Sequence, residues 1–409
     1  MTRPLSLGRR SGESLVGLDI QPGFVAAVQA HVNGSIVAER AVSLALPADC
    51  VRDGEVMDEG AVSDVLRELF GGTGLSKRVR VGVANQRTVL RTLELPPVTD
   101  QKELAAAVNF QAQDQVPMPL DNAVMDFHPL GIVETPAGQR QRVVLVAAQR
   151  DMVERLIAAV RGAGLTVEGV DLSAFALIRS LYRPDVDQKG RVLYLNVDGL
   201  TNLAIADGTI CRFTRVVGSG LEGMASEIAE RRGIALTEAR ALLAAVDLTA
   251  PVPAEPALAV SEEEDAEYDA PAPASDGDAE PQSTEDAEES ERAMSYEELA
   301  AVESVPAAQA SQSDADLWAV LENGIRDISG EVRNSLDFHR SQEGGGEVSH
   351  VVMSGAAQDI PGFAEALQSS LGVEVRRGEV GLADGDLAEI ASPHRLAIAT
   401  GLAAAEVPQ

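Results

Sequence analysis

Leu15–Val28 reads LVGLDIQPGFVAAV: an apolar run, a break at Gln21-Pro22-Gly23, then a second apolar run. Pro and Gly supply turn dihedrals and β-branched residues suit the flanks, so the stretch predicts strand, tight turn, strand. Val192–Ile205, VLYLNVDGLTNLAI, echoes it more weakly, with Asp198-Gly199 at the turn. Each copy is followed by another turn and strand: Asn33-Gly34 before Ser35–Val42, and Asp207-Gly208 before Thr209–Val217. Two hairpin-led α/β halves, each with an acid or amide at a strand end, predict a duplicated fold with a cleft between the halves.

The 409 residues suffice for two or three domains, and 45% apolar content supports real cores. Aromatic residues make up only 3%, so Val, Leu and Ala must fill those cores. The net charge of −31 is mostly local. Pro251–Asp316 holds 20 acidic residues against one basic residue, Arg292. Such a surface is a poor partner for nucleic acid. Cys50 and Cys211 show no metal spacing and no disulfide framework, which fits a reducing compartment. No apolar run approaches the roughly 18 residues of a membrane span, and the lead MTRPLSLGRRSGES has no signal core.

Between the hairpins, Glu59–Phe70 has helical spacing and ends in Gly71-Gly72. A compact block follows: strand Thr88–Leu95, helix Asp100–Gln113, the turn Val116–Leu120, and strands Ala123–Leu130 and Arg140–Ala148. Asp100 with Glu103 makes a capping-box-like start to its helix. After the second hairpins come helices Leu221–Gly233 and Thr237–Ala245, then the acidic stretch, which cannot bury enough apolar surface to offset its ordering cost. From Ala315, Val320, Leu321, Ile325, Ile328, Val332 and Leu336 recur at helical intervals.

Catalytic constellations are scarce. The five histidines are scattered outside any ligand spacing, and phosphate-loop and nucleophile-elbow motifs are absent. What remains is three turns of small residues after strands: Gln21–Phe24, Asp198–Leu200 and Ser354–Ala357. Such turns bring backbone N–H groups close to phosphates, and an aspartate at a strand end can hold Mg²⁺ through water.

Val81–Leu95 (VGVANQRTVLRTLEL), Phe110–Leu120 (FQAQDQVPMPL) and Met125–Leu130 (MDFHPL) together resemble the type IV pilus assembly protein PilM family. Val51–Asp58 (VRDGEVMD), Val143–Gln149 (VVLVAAQ), Ala163–Leu181 (AGLTVEGVDLSAFALIRSL), Glu331–Arg340 (EVRNSLDFHR) and Met353–Phe363 (MSGAAQDIPGF) continue the resemblance in order. It implies an α/β, actin-like (ribonuclease H-like) duplicated fold, similar to the division protein FtsA, with an inserted strand-helix-strand-strand subdomain. The chain then divides into a loose lead at 1–14, a first lobe at 15–87 and 161–190, and the inserted subdomain at 88–160. The second lobe takes 191–248 and 315–409, interrupted by an acidic, disordered insert at 249–314. The resemblance implies ATP with Mg²⁺ at Asp19, Gln21, Gly23, Asn196, Asp198, Gly199, Ser354 and Gly355, with Asp19 and Asp198 on the metal. It also implies a cytoplasmic protein, peripheral at the inner face of the cell membrane, linked to the pilus motor. Its partner there would be the N-terminal cytoplasmic segment of a PilN-like membrane protein, held beside the inserted subdomain. Phe110, Val116, Pro117, Met118, Pro119 and Leu120 are the expected stretch near that groove.

The turns depart from the family pattern. Where the family reads D-I-G-S-S-S-V-K, this chain has Asp19-Ile20-Gln21-Pro22-Gly23-Phe24-Val25-Ala26. The aspartate stays, but the first glycine, the hydroxyls and the lysine are gone, and Pro22 has no N–H to offer. The second turn, D-I-G in the family, is Asn196-Val197-Asp198, and the third, S-G-G-G-A, is Ser354-Gly355-Ala356-Ala357. The expectation is weak or absent ATP binding, no meaningful hydrolysis, and a scaffold acting by protein contact. The alternatives are an ATP-controlled switch of the same machine and an FtsA-like division protein. The latter would end in an amphipathic membrane helix, which Leu402–Gln409 does not resemble.

Overall fold

The computed structural model describes residues 15–32, 36–136, 138–187, 190–250, 307–342, 345–383 and 392–404. The expected lead at 1–14, the turn at Asn33-Gly34 and residues 251–306 of the acidic insert lie outside the described residues. The chain divides into two compact units, Met1–Pro251 with Ala319–Gln409, and Val252–Trp318. Only 307–318 of the second are described, as the start of a helix.

β1 (Val16–Gln21), β2 (Phe24–Val32) and β3 (Ile36–Ala45) form an antiparallel meander that turns first at Pro22-Gly23. Gly23 adopts φ 76°, a conformation that a Cβ would strain. All six residues of β1 are buried, so the strand reads apolar throughout rather than alternating, with Asp19 and Gln21 as its polar exceptions. A small hairpin, β4 (Val51–Arg52) and β5 (Glu55–Val56), precedes α1 (Glu59–Phe70). Its N-cap Asp58 accepts from the Ala61 N–H at 2.9 Å. β6 (Arg78–Val83) then lies parallel to β1.

β7 (Val89–Leu95), α2 (Gln101–Gln115), β8 (Ala123–Thr135) and β9 (Gly138–Gln149) build a separate sheet in the order β7-β9-β8. Asp100 caps α2, accepting from the Lys102 and Glu103 N–H groups at 2.8 and 3.0 Å. α2 covers one face of this sheet, packing Leu104, Val108 and Ala112 with Val143, Leu145 and Ala147. α3 (Arg150–Gly162), included in the inserted block on sequence grounds, packs instead with α1. Its Met152, Val153, Leu156, Ala159 and Val160 face the core of the first sheet. β10 (Thr166–Leu172), parallel to β6, leads into α4 (Ser173–Leu181) and the single turn α5 (Pro184–Asp187).

β11 (Arg191–Val197), β12 (Thr201–Asp207) and β13 (Ile210–Val217) repeat the meander, and α6 (Leu221–Arg232) and α7 (Leu236–Ala244) follow. β14 (Val348–Ser354) and β15 (Val375–Arg377) run parallel beside β11. The strand orders β3-β2-β1-β6-β10 and β13-β12-β11-β14-β15 therefore match: a meander, then two parallel strands, twice. That repeat is the actin-like duplication expected from the two hairpins.

Helix Ala307–Ser341 buries Val320, Leu321, Ile325, Ile328, Val332 and Leu336 along one stripe. Near its end His339 is buried, and neither ring nitrogen has a hydrogen-bond partner. Burial first, with Arg191 and Arg212 nearby, holds its pKa below the ordinary histidine value, so the ring folds neutral. The unfolded chain then takes up this proton more readily than the folded one, and stability falls as pH drops below about 6.5. His339→Leu is expected to flatten that loss, measured as the difference in urea midpoint between pH 7.5 and 5.5.

The sequence assigns all of 315–409 to the second half, but the end of the chain returns to the first. β16 (Gly381–Leu382) extends the first sheet beside β3, and helix Ala397–Ala403 crosses β1 and α4. Glycines permit the crossing, since a Cβ at Gly17 would overlap Ala399 O and one at Gly401 would overlap Ala176 O. Two guanidiniums satisfy the last carbonyls of the helix. Arg80 donates to those of Leu402 and Ala404 at 3.1 and 2.7 Å, and Arg179 to that of Gly401 at 3.0 Å.

Candidate functional site

The duplicated hairpins place the β1–β2 and β11–β12 turns against each other, so closely that a Cβ at Gly199 would overlap Pro22 O. Asp19 is buried behind the first turn and accepts from Gln21 Nε2 at 2.6 Å. Burial pushes its pKa up to about 7; the Gln21 bond opposes the rise, Asp198 adds to it and Arg395 opposes it. Asp198, in the second turn, accepts four donors. Oδ1 takes the Gly199 N–H at 3.0 Å and Arg395 Nη2 at 2.5 Å. Oδ2 takes Arg395 Nε at 2.9 Å and the Ala356 N–H at 3.2 Å. The Arg395 guanidinium comes from the 3-10 turn Pro393–Leu396 and lies 3.7 Å from the centroid of the Phe24 ring. In the third turn Ser354 Oγ donates to Asn196 Oδ1 at 2.9 Å, and the Gly355 N–H donates to His394 O at 3.0 Å. A cavity of about 500 Å³ adjoins these turns, lined by Phe24, Leu44, Leu243 and Ile360 with Arg240 and Arg395. Arg240 is itself paired with Glu222 and donates to Leu46 O at 3.4 Å.

The three turns thus converge, but the donors around Asp198 are committed to it. Gly199 and Ala356, whose N–H groups such turns would offer to phosphate, both donate to Asp198. Every acceptor direction of Asp198 is used, half of them by a guanidinium. The apolar Phe24 ring and N–H-less Pro22 close the first turn, and Gln21 Oε1 and Asn196 Nδ2 are buried without partners. Among the described residues no three His, Cys, Asp or Glu side chains converge. This donor and acceptor set does not fit Mg²⁺ with a polyphosphate. Arg395 escapes a sequence reading because it lies 197 residues from the acid it neutralises.

A second concavity, about 600 Å³, lies on the face of the β7-β9-β8 sheet away from α2. Consecutive residues line it from β8 (Val124 to His128) and from β10 (Val170 to Leu172). Facing side chains alternate along a strand, so consecutive lining residues mark strands presented edge-on. Among the described residues both are edges: β8 pairs only with β9 and β10 only with β6. Val144 and Val146 of β9 and Phe175 and Ile178 of α4 give an apolar wall, and Ile210 and Cys211 of the second half close one end. Asp171 and Arg179, paired with each other, line it too.

The stretch expected beside a partner groove lies on the α2 side of this sheet. Val116 is buried with α2, Met118 and Leu120 pack against that same core, and Phe110 is 74% exposed on α2. None of Phe110, Val116, Pro117, Met118, Pro119 or Leu120 lines the concavity. A signal for the other face was present in VVLVAA (Val143–Ala148): a strand apolar at every position needs cover on both faces, and one helix supplies only one.

The family described as type IV pilus assembly protein PilM matches residues 17–249. Among solved structures, a PilM-PilN type IV pilus biogenesis complex is similar over 95% of this chain and 97% of that one, at 20% identity and a TM-score of 0.67. The ethanolamine utilization protein EutJ from Carboxydothermus hydrogenoformans is similar over 95% and 88%, at 14% identity and a TM-score of 0.46. MreB 5 of Spiroplasma citri bound to AMPPNP is similar over 96% and 95%, at 11% identity and a TM-score of 0.45. Among the described residues no helix is long and apolar enough to cross a membrane.

Proposed function

Because this chain belongs to the type IV pilus assembly protein PilM family, we propose that it is a non-catalytic, actin-like scaffold of a pilus or pilus-like machine. On this reading the groove between β8 and β10 holds the N-terminal cytoplasmic segment of a PilN-like membrane protein. The observation that carries it is a pair of strand edges, without a partner strand among the described residues, flanking an apolar floor. An extended segment laid there gains main-chain hydrogen bonds from an edge and side-chain burial on Val146 and Phe175. The solved PilM-PilN complex shares this fold across nearly the whole chain. The commitment of the turn N–H groups to Asp198 favours the scaffold over a nucleotide-driven switch.

Titration of the PilN-like protein's N-terminal peptide, followed by fluorescence anisotropy, tests the groove. Val146→Arg is expected to weaken binding at least thirty-fold, by placing an unpaired charge on the apolar wall. Phe110→Ala, on the opposite face, is expected to leave it unchanged. Loss of binding in Phe110→Ala with retention in Val146→Arg would move the partner to α2.

A further inference from the structure

We propose that the Arg395–Asp198 pair is a built-in latch, holding the two halves closed where a ligand would otherwise bridge them and thereby fixing the shape of the β8–β10 groove. Arg395 is anchored on the first half through the next residue, Leu396, which packs with Phe24, Ala26 and Ala399 behind β2, while the His394 carbonyl before it accepts from Gly355 of the second. Asp198 belongs to the second, at the β11–β12 turn. The contact therefore spans the cleft, and it is a strong one. The planar fork meets both carboxylate oxygens, at 2.5 and 2.9 Å, while its face lies on Phe24. Asp198 is 1% exposed, so little water competes.

A second bridge lies across the same cleft. Arg240, held by Glu222 of the second half, reaches Leu46 O of the first. The backbone of Gly23 leaves it room, since a Cβ there would sit 2.9 Å from Arg240 Nη2. Neither bridge needs a bound molecule.

The groove shares this geometry because its walls come from both halves. Val170 and Phe175 belong to the first, Ile210 and Cys211 to the second. Rotation of one half on the other must move the β12–β13 turn relative to α4. One element joins the two places directly: helix Ala397–Ala403 follows Arg395, and its Gly401 carbonyl accepts from Arg179 of the groove. The use of the groove by a partner segment rests on the function proposed above; the latch does not.

The test uses the full chain without any partner. Arg395→Met keeps the length of the side chain and removes the fork. Amide exchange read by mass spectrometry is expected to accelerate at least ten-fold at the turns Gln21–Phe24 and Asp198–Thr201, with β6 unchanged as the control for folding. Cys211, buried at the groove end, should label with a maleimide at least ten times faster. Asp198→Asn should reproduce both effects, and the double variant should add nothing to either. Arg395→Lys, which keeps the charge and loses the fork, should fall between and serves if Arg395→Met does not fold. Unchanged exchange at both turns would overturn the latch. Faster exchange with unchanged Cys211 labelling would overturn its coupling to the groove. Protection of the same turns by Mg²⁺·ATP in the unmutated chain would show that Arg395 yields the site to a nucleotide, and would overturn the ligand-free closure.

Discussion

Asp19→Asn is expected to stabilise the protein at pH 8 and to leave it unchanged at pH 4. The carboxyl is 1% exposed and its pKa is pushed up to about 7 in the folded chain, against the ordinary 3.8. Burial is the main cause, and the buried charge of Asp198 adds to it. A folded-state pKa above the unfolded one means that the folded chain binds the proton more tightly. Stability therefore falls as pH rises from about 4 to about 7, and the full cost stands above that range. The displacement corresponds to roughly 4 kcal/mol at pH 8, a large share of the ~5–15 kcal/mol by which domains are stable. Asparagine keeps an oxygen that can accept from Gln21 Nε2 and has no charge to desolvate. Urea unfolding of both proteins at pH 8 and pH 4 checks this: the midpoints should diverge at pH 8 and coincide at pH 4. A metal-binding role for Asp19 predicts the opposite at pH 8 when Mg²⁺ is present, a loss of stability on substitution.

The parts of this molecule legible in the sequence are those fixed by neighbours along the chain. The two hairpins announce themselves through Pro22-Gly23 and Asp198-Gly199, because turn dihedrals are a local demand. Asp58 and Asp100 mark helix starts for the same reason, and α1 begins and ends where its spacing says. The parts that resist reading are settled by distant pairing. β16 is two residues long and joins a strand more than 300 positions earlier, so no propensity identifies it. The resemblance places the acid at position 198 on a metal, while its pairing with Arg395, 197 positions later, is nowhere legible along the chain. The family resemblance points to Phe110–Leu120 as a partner stretch; in the fold Val116, Met118 and Leu120 pack with the core under α2, while Phe110 stays exposed. The β8–β10 concavity lies on the opposite side of the sheet, where Val144 and Val146 are ordinary strand residues until the edges of β8 and β10 appear beside them.

Gly401→Ala should be among the most damaging single-methyl substitutions in the chain, although alanine is the better helix former by about 1 kcal/mol. Helix propensity and packing make opposite predictions here, and the structure decides between them. The Cβ of an alanine at 401 would overlap the carbonyl oxygen and carbon of Ala176, which belong to the backbone of α4. No side chain can swing aside, so one helix must shift. The helix cannot move outward freely, because its carbonyls are held by Arg80 and Arg179 and its other side rests on Gly17 of β1. Overpacking of this kind costs about 1–3 kcal/mol, and the backbone contact places Gly401→Ala at the upper end or beyond. The net expectation is a thermal midpoint lowered by several degrees, against a small rise if propensity governed. Gly17→Ala probes the same seam from the strand side and should cost as much, because its Cβ meets Ala399 O. The double variant should lose less than the two singles combined, since one displacement of the helix relieves both overlaps. Such a displacement carries Arg395 with it, so each single variant should also raise the exchange of the Asp198–Thr201 turn. Full additivity, with that turn unmoved, would mean that the helix does not transmit position from β1 to the cleft.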